Sequence, residues 1–262
     1  MSAPAVRTGR SQGGGFRIWE KGTGTPVGYF SGLLGLPRWT PFLDALAKTR
    51  RVVAPSLPGT PGGADWEDLD THLDWVLASG DAWLGSGLDG ADLIGASSGG
   101  ALAAEVAALW PQAVRRLVLI GPLGVFEPAD PIADVFAQPP GAYAPLVSNR
   151  PADVEAYVRA DSNDPDEIVE WDIGQQRARN AAARFLWPLG DTRLRRRLPR
   201  IACPTLIVWG ADDRVMSAAY ARRFAEAIGG ETTIKIIPNA GHMADFDQPD
   251  AVADAVDAFL SR

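Results

Sequence analysis

The chain alternates between short apolar runs and longer segments in which apolar residues recur every three or four positions. The short runs predict buried β-strands, and the longer spacing predicts amphipathic α-helices. Strands are predicted at Phe16–Glu20, Pro26–Phe30, Val52–Val53, Leu93–Ile94, Arg116–Gly121, Pro204–Trp209 and Thr233–Ile237. Helices are predicted at Trp39–Lys48, Leu69–Leu84, Ser217–Ile228 and Pro249–Leu260, and a further helix starts just after Gly95 and ends before Pro111.

This alternation of strands and helices predicts an α/β fold, with a mostly parallel sheet covered by helices on both faces. The rhythm stops between Pro122 and Arg200, where prolines are frequent and helical pieces appear at Pro151–Ala160 and Ile168–Trp187. We therefore expect a core formed by residues 1–121 and 201–262, with residues 122–200 inserted between two strands as a helical cap. The polar, glycine-rich segment Met1–Gly15 is expected to be flexible.

Composition narrows the classes of partner. Hydrophobic residues make up 46% of the 262 residues, which is enough for a sizeable core. The net charge of −7 and the sequence pI near 4.9 leave no basic surplus for binding nucleic acid. The one basic cluster, Arg193–Arg200, is predicted to be a solvated helix end. The chain has no signal-peptide pattern and no apolar run long enough to span a bilayer, so we expect a cytoplasmic protein without membrane contact.

Candidate metal ligands are few. The chain contains one cysteine, Cys203, and two histidines, His72 and His242. A single cysteine cannot form an intramolecular disulfide, and a buried thiol is its expected role. Two histidines are too few for a multi-histidine metal site, so neither a metal nor a cofactor is expected.

The segment Gly95-Ala96-Ser97-Ser98-Gly99 fits the pattern Gly-x-Ser-x-Gly. A serine at the apex of a strand-to-helix turn adopts unfavourable backbone angles, and its neighbours two residues away need to lack a Cβ. The same pattern also occurs in glycine-rich turns whose serine is unreactive. The strand before it and the helix after it favour a reactive serine at Ser97.

A serine nucleophile needs a base, and the base needs a carboxylate that orients it. Asp213 follows the predicted strand that ends at Trp209, and His242 follows the one that ends at Ile237. The carboxyl ends of parallel strands lie at one edge of a sheet, so we expect Ser97, Asp213 and His242 to converge there. Their chain order is serine, aspartate, histidine.

Two alternatives stay open on the residues alone. Asp212 stands directly before Asp213, and the one that does not orient His242 is expected to be solvated or to cap the helix at Ser217. His72 is the other histidine, but it sits on an amphipathic helix and is predicted to be a bystander.

The elbow at Ser97, the loop Gly210-Ala211-Asp212-Asp213 and the pair Gly241-His242 make the chain resemble the capped α/β-hydrolase superfamily, in its branch of serine esterases and carbon–carbon hydrolases. The resemblance extends from about Phe16 to Leu260, although the insertion matches only as a helical cap. It implies a catalytic triad of Ser97, Asp213 and His242, and the family spacing favours Asp213 over Asp212.

The resemblance also implies an oxyanion hole, formed by the backbone N–H of Ser98 and that of Leu33 or Leu34. Many relatives have His-Gly after the strand Pro26–Phe30, where this chain has Ser31-Gly32. Loss of that histidine side chain leaves the backbone donors in place, but it leaves open which leucine donates.

The resemblance implies hydrolysis of a small to medium, largely apolar carboxylic ester, lactone or thioester through an acyl-enzyme on Ser97. The serine excludes relatives that form aspartyl esters, namely epoxide hydrolases and haloalkane dehalogenases. Carbon–carbon hydrolases of ring-cleavage dienoates are an alternative, but they typically carry Asn before the serine and Trp after the histidine, where Ala96 and Met243 stand. A ligand-binding receptor on a hydrolase scaffold is the other alternative.

The predicted cap is expected to cover Ser97 as a lid and to make the pocket chiefly apolar. The apolar residues on which this expectation rests are Val135, Phe136, Tyr143, Leu146, Phe185, Leu186 and Trp187. The expected partner is a small-molecule acyl substrate, and the sequence leaves a homodimer open.

Overall fold

The fold is known from a computed structural model that describes residues 3–11, 13–139, 141–189 and 191–262. Its eight strands are β1 Ala5–Ser11, β2 Gly14–Lys21, β3 Pro26–Phe30, β4 Arg51–Pro55, β5 Ala91–Ala96, β6 Val114–Ile120, β7 Thr205–Gly210 and β8 Thr232–Ile237. They form one sheet in the spatial order β1-β2-β4-β3-β5-β6-β7-β8. β1 and β2 pair antiparallel to their neighbours, and the other pairs are parallel. The α/β fold with a mostly parallel sheet is therefore confirmed.

Nine α-helices accompany this sheet within the described ranges. They are α1 Pro41–Leu46, α2 His72–Gly85, α3 Ser97–Leu109, α4 Tyr143–Val147, α5 Pro151–Val158, α6 Pro165–Leu186, α7 Ala219–Ala227, α8 Ala244–Asp247 and α9 Pro249–Leu260. None of them combines the length and the apolar character that crossing a membrane requires.

The central strands β3, β5, β6 and β7 are largely apolar because helices cover both of their faces. Successive side chains of a strand point to opposite faces. Leu93 of β5 packs into the layer that contains α2, α3 and α7, whereas its neighbour Ile94 packs into the layer of α1 and α9. Because β5, β6, β7 and β8 pair in parallel, the carboxyl ends of β5, β7 and β8 share one edge of the sheet.

The expectation of a flexible N-terminal segment is wrong for Ala5–Ser11, which forms strand β1. This strand pairs with β2 from Ala5 opposite Glu20 to Ser11 opposite Gly14. Its side chains are mostly exposed, so the segment lacks the apolar pattern that predicts a strand. Met1, Ser2 and Gln12 lie outside the described residues.

Helices α4, α5 and α6 lie between β6 and β7 in the chain, where the sequence predicts the insertion. Two short 3-10 turns, Leu194–Arg196 and Leu198–Arg200, lead from α6 to β7. Arg214, four residues after β7, ties this region to the core by donating to the carbonyl oxygens of Pro145 (2.8 Å) and Ser148 (2.7 Å). Pro140 and Gly190 lie outside the described residues, and the division into core and cap stays a prediction.

Candidate active site

Ser97 stands at the turn between β5 and α3, in the left-handed region with a φ of 52°. This conformation is strained for a residue with a side chain, and it presents the serine at the sheet edge. Close packing explains the two flanking glycines. A Cβ on Gly95 would lie 2.5 Å from the carbonyl oxygen of Gly99, and a Cβ on Gly99 would lie 2.3 Å from that of Ser31. The turn that the motif predicts is present.

The three residues predicted to converge do so. The Oγ of Ser97 lies 2.9 Å from Nε2 of His242, and Nδ1 of His242 lies 2.9 Å from Oδ2 of Asp213. A carboxylate can only accept, so Nδ1 carries the proton and Nε2 is free to accept from the serine hydroxyl. All three side chains are buried or nearly so, which keeps water from competing for these hydrogen bonds.

The loop after β7 holds Asp213 in position. Its Oδ1 accepts from the backbone N–H groups of Val215 (2.8 Å) and Met216 (3.0 Å), which leaves Oδ2 directed at His242. Asp212 is exposed and accepts instead from the side-chain amide of Asn149 at 2.8 Å. Of the two carboxylates that the residues alone leave open, Asp213 is the one in contact with His242.

Asp247 binds the backbone next to His242 and a second segment near Asp212, and the sequence analysis did not predict this role. Its buried carboxylate accepts from the N–H groups of Gly241 (2.7 Å) and Asn149 (2.9 Å), and from the hydroxyl of Ser148. The carboxylate therefore joins the histidine loop to the segment between α4 and α5. The spacing of five residues after the histidine is the only signal that the sequence offers.

Two predicted oxyanion donors lie beside Ser97. Ser98 is the second residue of α3, where the backbone N–H has no partner inside the helix. Leu33 and Leu34 form the middle of a turn closed by the N–H of Gly35 on the carbonyl of Gly32, at 2.9 Å. Within the described ranges, neither leucine N–H donates to the protein, and both residues line the cavity that contains Ser97. The arrangement offers either leucine as the second donor.

A cavity of about 570 Å³, including its solvent-open part, lies over Ser97. Seven apolar residues of the insertion were expected in the wall of this cavity, and of these seven only Tyr143 lines the cavity. Phe185 packs instead between Trp66 and Trp75, and Trp187 is 58% exposed on the outer surface. The remaining wall comes from β3 and the segment that leads from it to α1, from the end of β5, from α5, and from His242, Met243 and α8. Its residues are Tyr29, Gly32, Leu33, Leu34, Gly35, Thr40, Ala96, Tyr157, His242, Met243, Asp245 and Phe246.

The cavity also contains a buried polar pair that sequence reasoning missed. The hydroxyl of Tyr29 donates to Oδ2 of Asp245 at 2.9 Å. Burial raises the pKa of Asp245, and the charge of Asp247 adds to the rise, whereas the hydrogen bond from Tyr29 and the charge of His242 act in the opposite direction. Burial likewise raises the pKa of Tyr29 well above its ordinary value. An isolated tyrosine in a strand and an aspartate after a histidine give no sequence signal for this pair.

His72 lies away from this cluster, at the start of α2. Its Nε2 is 3.4 Å from the buried carboxylate of Glu105 in α3, which also accepts twice from Arg197. Burial raises the pKa of Glu105, but the hydrogen bonds from His72 and Arg197 outweigh it and hold that pKa below its ordinary value. Arg197, a member of the predicted basic cluster, is half-buried and pairs with this buried carboxylate.

Among the described residues, no three His, Cys, Asp or Glu side chains form a cluster that could hold a metal ion. The chemistry that the arrangement can perform is that of a serine hydroxyl, an imidazole, a carboxylate and backbone N–H donors.

Known proteins resemble the chain along most of its length. A 2-hydroxy-6-oxo-2,4-heptadienoate hydrolase of Pseudomonas putida is 29% identical over 93% of this chain and 92% of its own. Carboxylesterase YbfK of Bacillus subtilis is 25% identical over 87% of this chain and 77% of its own.

Solved structures share the fold. The meta-cleavage product hydrolase CumD of Pseudomonas fluorescens superposes with a TM-score of 0.77 at 18% identity, covering 97% of both chains. At that identity the likeness shows the fold alone. The sequence model of the alpha/beta hydrolase family matches residues 22–255. The resemblance drawn from the motifs is thereby confirmed, and the chain belongs to the alpha/beta hydrolase family.

Proposed function

We propose that the protein is a serine hydrolase that cleaves a small to medium carboxylic ester, lactone or thioester through an acyl-enzyme on Ser97. The observation that carries this proposal is the continuous hydrogen-bonded path from Ser97 through His242 to Asp213, with 2.9 Å at each step. That path ends on a strained serine beside free backbone donors, which is the arrangement that acyl transfer needs.

In the acylation step, Nε2 of His242 takes the proton of Ser97 as Oγ attacks the carbonyl carbon. Asp213 keeps the imidazole in the correct tautomer and stabilises its positive charge. The carbonyl oxygen becomes an oxyanion, which accepts hydrogen bonds from the N–H of Ser98 and from that of Leu33 or Leu34. His242 then protonates the leaving alcohol or thiol, and the acyl group remains on Ser97.

In the deacylation step, a water molecule replaces the leaving group. His242 takes a proton from this water, the resulting hydroxide attacks the acyl carbon, and Oγ of Ser97 leaves with the proton that His242 returns. The products are a carboxylic acid and the free enzyme.

We propose further that the insertion acts as a lid over this site. Tyr143 of α4 and Tyr157 of α5 line the cavity beside Ser97, which supports the proposal. Such a cover excludes water and so strengthens the oxyanion hydrogen bonds. We propose that residues 122–200 form this cap. The proposed partner is a small-molecule acyl substrate, and the proposed location of the protein is the cytoplasm.

Carbon–carbon bond hydrolysis is a second candidate, favoured by a specific observation. The 2-hydroxy-6-oxo-2,4-heptadienoate hydrolase resembles this chain over almost all of both proteins. The same Ser97, His242 and Asp213 set would serve either reaction. Ala96 and Met243 stand where such enzymes typically have Asn and Trp, which favours the ester.

A substrate panel separates the two candidates. Purified protein is assayed with p-nitrophenyl esters of two to eight carbons and with a 2-hydroxy-6-oxo-dienoate, and kcat/KM is measured for each. An ester hydrolase gives larger values on the esters, and these values vanish in the Ser97→Ala variant. A larger kcat/KM on the dienoate than on the esters would favour carbon–carbon bond hydrolysis over ester hydrolysis. Absence of turnover on both substrate classes would favour a binding protein.

A further inference from the structure

Asp245 occupies an unusual position for a carboxyl group. It stands three residues after His242 on α8, lines the same cavity as Ser97, and is only 8% exposed. Burying an ionisable carboxyl group costs free energy unless hydrogen bonds or an opposite charge compensate it. No arginine, lysine or histidine forms an ion pair with Asp245 in the described ranges.

The donors to the carboxyl group of Asp245 are few. Oδ2 accepts from the hydroxyl of Tyr29 at 2.9 Å, and a hydrogen bond from the backbone N–H of Asp245 itself also lowers the pKa of its carboxyl group. No other described residue donates to this carboxyl group. The accessible part of the residue faces the cavity that it lines. Because the carboxyl group stands in the wall of the cavity over Ser97, a group bound in that cavity can reach it and donate to it.

Three other polar side chains of the wall have partners within the protein, whereas the hydroxyl of Tyr143 hydrogen-bonds to no described residue. The hydroxyl of Tyr157 donates to the carbonyl oxygen of Arg38 at 3.3 Å, and the hydroxyl of Thr40 caps α1 by accepting from Leu43. His242 is committed to Ser97 and Asp213. The carboxyl group of Asp245 is therefore an acceptor in the wall of the cavity that contains Ser97, and Tyr29 is the one side chain among the described residues that donates to it.

We propose that Asp245 is a specificity residue that accepts a hydrogen bond from a donor group carried by the substrate, either a hydroxyl or an ammonium. The inference rests on the proposed function and deepens it, because it names a polar substituent that a purely apolar pocket would reject. Tyr29 is a positioning residue in this account, since its hydroxyl fixes the orientation of the carboxyl group.

The unfavourable burial of Asp245 supports the proposal. Its raised pKa means that ionisation destabilises the folded state: that burden is absent below the ordinary pKa of a carboxyl group and grows as the pH rises through the folded-state value. The titratable groups that face Asp245 are Tyr29, Tyr157, His242 and Asp247. A residue that costs stability and lines the cavity of the serine is typical of a binding function rather than a structural one.

The test measures binding without turnover, so that it does not depend on the reaction assigned to Ser97. Matched esters with a variable chain of three to six carbons, ending in methyl, hydroxyl or ammonium, are titrated by calorimetry into the Ser97→Ala variant. The donor is placed first on the acyl chain and then on the alcohol. We expect the best donor-bearing ester to bind roughly tenfold tighter than its alkyl match, as a hydrogen bond to a charged group allows.

Second variants in the Ser97→Ala background decide the origin of this preference. Asp245→Leu should remove it, and Asp212→Asn, an exposed carboxylate outside the cavity, should leave it unchanged. Asp245→Asn distinguishes the donors, because the amide oxygen still accepts a hydrogen bond from either group but the lost negative charge weakens the binding of an ammonium far more than that of a hydroxyl. The Asn variant should also unfold at a higher temperature than its parent at pH 7, with no difference near pH 3.

Equal preference in the Asp245→Leu, Asp245→Asn and parent proteins would overturn the inference, as would the absence of any donor preference in the parent. If Asp245→Leu does not fold, Asp245→Ala replaces it, because an alanine also removes the acceptor. Failure of the proposed function appears separately, as a lack of Ser97-dependent turnover on any ester.

Discussion

Oδ2 of Asp213 lies 2.9 Å from Nδ1 of His242, while the other oxygen of the same carboxylate accepts two backbone N–H groups of its own loop. The aspartate is thus fixed from one side and orients the imidazole from the other. Asp212, one residue earlier, is exposed and contacts Asn149 instead. This contrast between neighbours gives the first prediction.

Asp213→Asn is expected to lower kcat on the order of 10⁴-fold, because the amide favours the wrong tautomer of His242. Asp212→Asn is the matched control and should keep kcat within about threefold, a change smaller than 1 kcal/mol. Steady-state kinetics on a p-nitrophenyl ester measures both. A larger loss in the Asp212 variant would contradict the assignment.

Ser97 is expected to be the residue that becomes acylated. A fluorophosphonate probe followed by peptide mapping should label Ser97 and leave Ser98 unlabelled. Ser97→Ala should lower kcat on the order of 10⁴-fold or more, since the unit fails without its nucleophile. Ser98→Ala should retain most activity, because only the backbone N–H of that residue faces the oxyanion. Labelling at Ser98 would refute this prediction.

The two histidines allow a direct comparison. His242→Ala is expected to abolish esterase activity, because no other base contacts Ser97 in the described structure. His72→Ala should keep kcat/KM within about threefold, since that side chain contacts Glu105 and not the serine. The reverse pattern would show that His72, and not His242, is the base.

Tyr143 and Trp187 both belong to the insertion but differ in their surroundings. Tyr143 lines the cavity, whereas Trp187 is mostly exposed. Each buried CH₂ of an acyl chain is worth roughly 0.8 kcal/mol, so kcat/KM should rise several-fold for every two carbons until the cavity is full. Tyr143→Ala should shift the chain length at which this rise ends, and Trp187→Ala should leave it unchanged. A profile that neither variant alters would mean that the insertion does not line the site.

Glu105 is expected to stabilise the fold at neutral pH and not in acid. Its pKa is lowered in the folded state, so its contribution is present above the ordinary carboxyl pKa and is lost as the pH falls through the folded-state value. Glu105→Gln should therefore reduce the free energy of unfolding by about 1–3 kcal/mol at pH 7, and the difference should shrink below about pH 4.

Urea unfolding at several pH values measures this effect. The matched control is Glu170→Gln on α6, an exposed glutamate that forms no ion pair among the described residues. A Glu105 penalty that is the same at pH 3 and pH 7 would exclude the ionic origin.

The sequence alone determined the order and type of the main elements. Pro26–Phe30 is recognisable because side chains buried on both sheet faces must be apolar, whereas Thr233–Ile237 is recognisable from its β-branched residues although most of its side chains are exposed or half-buried. Ser97, Asp213 and His242 were predicted because each follows a strand end, and the ends of parallel strands meet at one edge whatever their separation in the chain. Edge strand β1 was missed because its exposed residues carry no apolar pattern.

Only the tertiary structure decided what surrounds the serine. Tyr29 and Asp245 are 216 positions apart, and neither stands in a pattern that predicts their hydrogen bond. The sequence indicated Phe185 and Trp187 for the cavity wall, yet one packs on Trp66 and Trp75 and the other faces solvent. Hydrophobic periodicity shows that a helix buries a face, but not which partner that face meets. The local pattern of apolar and polar residues determines the helices and strands. Packing between elements that are distant in the chain determines the chemistry of the cavity.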